Sequence, residues 1–206
     1  MSSEIEAIAA KLNVSKNISQ ILNSRGTETE GDKIIALDLS GLNLSDLQSG
    51  VFDGLKDIKR LNLGYNQITT IDSKIFSGLS KLTFLSFFNN QISEIPDDFL
   101  TLFPDLEWLD LRENGLTKVP SSVVGLKKLK YLYLQNNPDL TTDEHDFSAD
   151  YHSTRDVGKF VEEFQKATGT APAESATPKK MTKKTTKKTS EKVKGKTEEK
   201  AEEKTE

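Results

Sequence analysis

Residues 58–68 read Ile-Lys-Arg-Leu-Asn-Leu-Gly-Tyr-Asn-Gln-Ile, residues 82–92 read Leu-Thr-Phe-Leu-Ser-Phe-Phe-Asn-Asn-Gln-Ile, and residues 106–116 read Leu-Glu-Trp-Leu-Asp-Leu-Arg-Glu-Asn-Gly-Leu. All three follow one pattern, Leu-x-x-Leu-x-Leu-x-x-Asn-x-Leu, in which other apolar residues stand for Leu. The pattern also fits from Ile34 and from Leu129, so five copies start at Ile34, Ile58, Leu82, Leu106 and Leu129, spaced 24, 24, 24 and 23 residues apart. Self-similarity at such a period marks a solenoid, because one unit cannot bury its apolar face without a neighbour.

The Leu-x-Leu pair has period two, so both side chains point to the same side of a short strand and the residues beside them point away. A second apolar set follows the Asn. It comprises Leu47, Val51, Phe52 and Leu55 in the first copy, Ile71, Ile75, Phe76 and Leu79 in the second, and Ile95, Phe99, Leu100 and Phe103 in the third. Each unit therefore has a strand side and a return side that share one interior. The Asn at the ninth position sits among apolar residues, and a buried amide is tolerated only when its donors and acceptors are paired. The expectation is a ladder of Asn side chains bonding backbone groups of stacked turns. The end copies depart from the pattern, with Leu42 at the Asn position of the first and Asn137-Pro138-Asp139 in the fifth. Irregular terminal units fit a capped array.

On these residues the chain resembles leucine-rich repeat proteins over about residues 34–140. The resemblance implies an α/β solenoid, curved, with a parallel β-sheet on its concave side. The return segments Val51-Phe52-Asp53-Gly54-Leu55 and Ile75-Phe76-Ser77-Gly78-Leu79 resemble the 24-residue subtype, and the Ile95-Pro96 and Val119-Pro120 corners resemble turns of intracellular members.

Outside the repeats, Ile5, Ile8, Ala9 and Leu12 have the spacing of one helical face, and Val14, Ile18, Ile21 and Leu22 that of a second short helix. Residues 1–32 are read as a helical N-terminal cap that closes with a polar loop over residues 25–32. Residues 33–140 form the solenoid. Residues 141–169 are read as a C-terminal cap, in which Ser153 and Asp156 open a helix bearing Val157, Phe160, Val161 and Phe164. Phe147 and Tyr151 are placed beside it. From residue 170 the composition turns to Lys, Thr, Glu, Ala and Pro, which cannot offset ordering entropy by burial, and the expectation is a disordered tail. Residues 179–196 hold nine Lys and one Glu, a net of +8, and residues 197–206 hold two Lys and five Glu, a net of −3. With the whole chain at −4, residues 1–178 carry −9. An acidic body thus precedes a mainly basic tail.

Several function classes are removed at once. Without cysteine there is no thiol nucleophile and no disulfide-bonded cap, which favours a reducing compartment. No apolar run approaches the ~20 residues of a membrane span, and the first residues do not resemble a signal peptide. The expected setting is intracellular and cytoplasmic, with the chain a monomer. The Glu-rich stretch at 198–203 is similar to export signals of some secreted bacterial effectors, which would place it inside a host cell. No phosphate-cradling Gly loop, kinase set or nucleophile elbow is present. His145 and His152, amid Asp143, Glu144, Asp146 and Asp150, read as a solvated acidic loop, so no metal and no cofactor is expected.

What remains is a binding surface, not a catalyst. The third template position reads Ala36, Arg60, Phe84, Trp108 and Tyr131, and the fifth reads Asp38, Asn62, Ser86, Asp110 and Tyr133. These side chains flank the core leucines and so face the concave solvent. Three rings in register on strands ~4.8 Å apart make a strip. Tyr65, Phe88 and Tyr133 widen it, with Arg60, Asp110, Arg112 and Glu113 as a charged border. Trp, Tyr and Arg are the residue types that dominate interface energetics, so this face is the expected site for a protein partner of unspecified identity. A second candidate is the Lys-Lys repeat of the tail, Lys179, Lys180, Lys183, Lys184, Lys187 and Lys188. It would attach to nucleic acid or an anionic membrane by charge alone.

Overall fold

The structure, a computed structural model, describes residues 2–138, 140 and 157–169. Its elements run α1 (Ser2–Lys11), α2 (Ile18–Asn23), β1 (Glu28–Glu30), β2 (Lys33–Asp38), β3 (Arg60–Asn62), β4 (Phe84–Ser86), β5 (Trp108–Asp110), β6 (Tyr131–Tyr133) and α3 (Val157–Thr168). The strands form one open sheet in chain order, and β2 to β6 are parallel. Each repeat contributes one three-residue register, so Leu37, Leu61, Leu85, Leu109 and Leu132 stand opposite one another. All five are buried.

The return side carries short 3-10 turns at Ser73–Phe76, Phe99–Leu102 and Ser121–Gly125. Phe52, Phe76 and Phe99 pack in sequence there, with ring centroids 5.3 and 5.1 Å apart. Phe87 meets Phe76 and Phe99 from the strand side. These turns are bulkier than strands held ~4.8 Å apart, so stacking the coils curves the solenoid with the sheet on the inner side.

The ninth-position asparagines connect successive coils. Asn66 accepts from the Leu42 and Leu44 N–H groups at 3.1 and 3.0 Å. Its amide N–H groups donate to the Leu39, Leu63 and Gly64 carbonyls. Asn90 accepts from Ile68 N–H at 3.0 Å and donates to Leu63, Phe87 and Phe88. Asn114 and Asn137 repeat the pattern toward Ile92 and Leu116. Each side chain reaches back by about one coil. The first copy has no coil behind it, and there the position is held by buried Leu42.

The first end departs from expectation. Residues 28–30, expected in a loop, form β1, which pairs antiparallel with β2. Its Glu-Thr-Glu sequence has no apolar face to announce a strand, yet it covers an edge that would otherwise leave backbone groups of β2 unpaired. Gly31, with φ of 61°, supplies the turn. The N-terminal helices form where expected and bury Ile5, Ile8, Ala9 and Ile21, with Leu12 buried just beyond α1, but Leu22, expected on the same face as Ile21, is exposed. At the other end α3 buries Val157, Phe160 and Phe164, and Gly169 follows it at φ of 65°, a conformation that ends a helix. The expected helix start at Ser153 and Asp156, the residues Phe147, Tyr151, His145 and His152, and the tail lie outside the described residues. Among the described residues, no helix is long and apolar enough to cross a membrane.

One rim of the sheet carries a charge ladder across coils. Lys33 and Lys81 both bond Asp57, at 2.9 and 2.5 Å, Lys128 bonds Asp105 and Lys130 bonds Glu107. Hydrogen bonds from Lys81 and then Lys33 lower the Asp57 carboxyl from its ordinary 3.8 to about 2. A carboxyl that titrates lower when folded stabilises the fold above its unfolded pKa, and loses that contribution as pH falls through the folded value.

Two outcomes follow from this architecture. Asn90→Ala leaves several buried backbone groups unpaired, each costing about 1–3 kcal/mol. It should lower the unfolding free energy by at least about 3 kcal/mol in a denaturant titration. Asn89→Gly, one residue away on the surface, should cost under about 1 kcal/mol. Asp57→Asn should lower the melting temperature at neutral pH, and the gap to the parent should close as pH drops from roughly 4 to 2. A gap that persists at the acid end would contradict the rim assignment.

Candidate protein-binding face

The third-position row forms a continuous stack across the sheet. The Arg60 guanidinium lies 5.2 Å from the Phe84 ring centroid. Phe84 stacks on Trp108 at 5.7 Å with planes 28° apart. Trp108 in turn packs on Tyr131 at 4.7 Å and on Tyr133 at 4.9 Å. The register pairs Arg60, Phe84, Trp108 and Tyr131 directly. A second row runs beside it: Tyr65 meets Phe88 edge-on at 4.9 Å, and the Arg112 guanidinium lies 5.0 Å from Phe88 and 4.8 Å from Tyr133. The two rows join at Tyr133.

Exposure separates these residues. Tyr65 is 60% exposed and Tyr131 37%, and Arg60 is exposed. Phe84, Phe88, Trp108, Arg112 and Tyr133 are half-buried. Because neighbours cover the faces of Phe84 and Trp108, those rings offer mainly edges to anything that docks. Trp108 Nε1 and both polar atoms of the Gln135 amide are buried and have no hydrogen-bond partner among the described residues.

Asp110 differs from its expected role. It is 5% exposed and accepts from Arg112 three times, from the backbone N–H at 3.2 Å, from Nε at 2.9 Å and from Nη2 at 2.5 Å. The carboxylate therefore aims Arg112 between two rings and does not border the solvent. This pairing also raises the Arg112 pKa. The same fold-back recurs along the fifth position: Asp38, Asn62 and Ser86 accept from the N–H of Ser40, Gly64 and Phe88. These side chains fix the exit of each strand. At Gly64 a Cβ would lie 3.1 Å from Asn62 Oδ1 and 3.2 Å from the Phe88 carbonyl, so a larger residue crowds that exit.

The eighth position was the feature that side-chain pattern alone did not reveal. Gly41, Tyr65, Asn89, Glu113 and Asn136 all have positive φ, between 53° and 68°. Their N–H groups reach the next coil: Gly41 donates to Gly64, Tyr65 to Phe88, Asn89 to Arg112 and Glu113 to Gln135. Gly and Asn tolerate this left-handed conformation, whereas Tyr65 and Glu113 adopt it at a cost of about 1–2 kcal/mol each. That backbone swings the Tyr65 ring into solvent. It also lets Asn89 and Asn136 donate to the Glu113 carboxylate at 3.0 and 3.3 Å, forming a surface ladder beside the strip. The recurrence of Asn at this position was the available signal.

No described group of three or more His, Asp or Glu side chains is arranged to hold a metal ion. The tail lysines Lys179, Lys180, Lys183, Lys184, Lys187 and Lys188 lie outside the described residues.

Comparisons with known proteins agree with this geometry. The family described as "Leucine rich repeat" matches residues 34–92 and 88–138, just over half of the chain. A comparison with curated proteins finds no match. Among solved structures, a leucine-rich repeat protein of Leptospira interrogans is 34% identical over 47% of this chain and 24% of its own, with a TM-score of 0.42. The BIR2 ectodomain of Arabidopsis thaliana is 22% identical over 67% of this chain and 81% of its own, with a TM-score of 0.56. The ectodomain of the Arabidopsis receptor kinase HAESA, solved in complex with a peptide hormone, is 20% identical over 68% of this chain and 29% of its own, with a TM-score of 0.50. The two plant likenesses show the fold. This chain spans about a quarter of the Leptospira chain. It belongs to the leucine-rich repeat family.

The Asp110 assignment has a direct consequence. Asp110→Ala should release Arg112 from both rings, shift the emission of Trp108, the sole tryptophan, and cost about 2 kcal/mol through the lost charge-assisted bonds. Unchanged emission would place Arg112 on the rings independently of Asp110.

Proposed function

We propose that this chain is a non-enzymatic interaction module that holds a protein partner against the concave strip, with Phe84, Trp108 and Tyr131 as anchors. Leucine-rich repeat domains are in general protein-binding and non-enzymatic. The observation that carries the finer reading is the pair of joined rows from Arg60 to Tyr131 and from Tyr65 to Tyr133. Large rings held rigid by neighbours lose little side-chain entropy on docking, and aromatic anchors beside charged residues are the usual composition of an interface centre. Tyr65 and Tyr133 extend the contact, Arg60 and Arg112 set its register, and Asp110 acts through Arg112.

The chain reads as an adaptor or scaffold that acts as a monomer in the cytoplasm. The competing reading assigns binding to the Lys-Lys repeat, with nucleic acid or an anionic membrane as the target. Deleting residues 172–206 and measuring retention on DNA or anionic vesicles at low salt separates the two.

Replacement of Trp108 and Tyr131 by Ala in the full chain tests the anchors. A protein captured by the parent, identified by mass spectrometry and reconstituted as a binary complex, should lose affinity at least ~100-fold, from two anchors worth about 2 kcal/mol each. The variant should still unfold cooperatively. Retained affinity would refute the assignment.

A further inference from the structure

The N-terminal half of the strip carries a local excess of positive charge. A cleft of about 380 Å³ on the sheet rim is lined by Glu30, Lys33, Ile35, Asp57, Lys59 and Lys81. Lys33 and Lys81 share a single carboxylate, Asp57. Lys59 and the adjacent Arg60 form no ion pair among the described residues. The three cations of the lining therefore meet two carboxylates, and with Arg60 and with Glu28, which faces Ala36 beside Arg60, the balance stays at +1 on a body whose residues 1–178 carry −9. Such a body repels acidic chains at a distance, so attraction here is short-ranged and specific to this place.

The rings beside this cleft favour the same partner chemistry. Phe84 is covered by Arg60 on one side and Trp108 on the other. It presents its edge, and aromatic edges carry the positive end of the ring quadrupole. Carboxylate and carbonyl oxygens are the groups that suit both features. From β3 to β6 is three strand spacings, ~14 Å, which an extended segment of four to five residues spans.

Resting on the reading above, we infer that the partner contributes an extended acidic segment. Its carboxylates lie at Lys59, Lys81 and Arg60, and its apolar side chains lie on Trp108 and Tyr131. The lowered titration of Asp57 accords with this cluster of cations.

The test uses the full chain and three capped peptides, Glu-Glu-Gly-Leu-Phe-Leu, Gln-Gln-Gly-Leu-Phe-Leu and Lys-Lys-Gly-Leu-Phe-Leu, titrated at low salt while the emission of Trp108 is followed. The Glu peptide should bind in preference to the other two. Lys59→Glu with Arg60→Glu should weaken it at least ~10-fold and turn the preference toward the Lys peptide. The milder Lys59→Gln with Arg60→Gln should give a smaller loss in the same direction. Equal binding of the Glu and Gln peptides, no emission change with any peptide, or Glu-peptide binding untouched by the reversal would each overturn the inference. The last outcome would move the contact to the basic tail or elsewhere. A captured protein that is lost on replacing Trp108 and Tyr131 but indifferent to the reversal would sink the acidic assignment alone and leave the concave reading standing.

Discussion

The structure depends on a buried amide at the same place in successive coils. Each ninth-position Asn satisfies backbone groups of its own turn and of the coil before it. Hydrophobic burial alone would tolerate sliding between stacked coils, since one leucine layer resembles the next. A buried amide with three or more partners does not tolerate it, because any slip leaves polar groups unpaired in a dry interior. The ladder therefore converts an adhesive stack into one with a fixed register, and the rings outside inherit that register.

The concave surface is the product of three row-specific constraints. From Arg60 to Tyr131 the third-position side chains point away from the core and stack, because strands that close bring rings into contact, whereas Ala36, expected on the same face, is buried. The fifth-position side chains from Asp38 to Asp110 turn back onto the strand exit, which takes Asp110 out of the solvent and fixes Arg112. Eighth-position residues take a left-handed backbone, which lifts Tyr65 outward. In a strip built this way the rings and guanidinium groups already hold one another in place, and pre-organisation lowers the cost of association.

Most of the fold was legible because the repeat states its geometry several times over. Leu61, Leu85 and Leu109 announce the strands, and Asn66, Asn90 and Asn114 announce the ladder. The outward placement of Phe84, Trp108 and Tyr131 follows from period two beside those leucines. What escaped was set by backbone, not by side-chain pattern. Glu28, Thr29 and Glu30 form a strand because an edge required cover, and no apolar alternation signals it. Asp110 looked like a rim charge because its partner is its own second neighbour, a contact that hydropathy does not register. The left-handed turn is visible at Gly41, Asn89 and Asn136, and masked by Tyr65 and Glu113.

The proposed partner surface stands on rings that are held outward and share their faces with one another, leaving edges and two phenols for contact. Hydroxyl-radical footprinting of the full chain, free and saturated with its captured protein, tests this most directly. The account predicts strong labelling of Tyr65 and Tyr131 in the free chain and its loss in the complex, with Phe52, Phe76 and Phe99 protected throughout. Labelling of Tyr65, Trp108 and Tyr131 that is the same in both states, with protection on the return side instead, would contradict it.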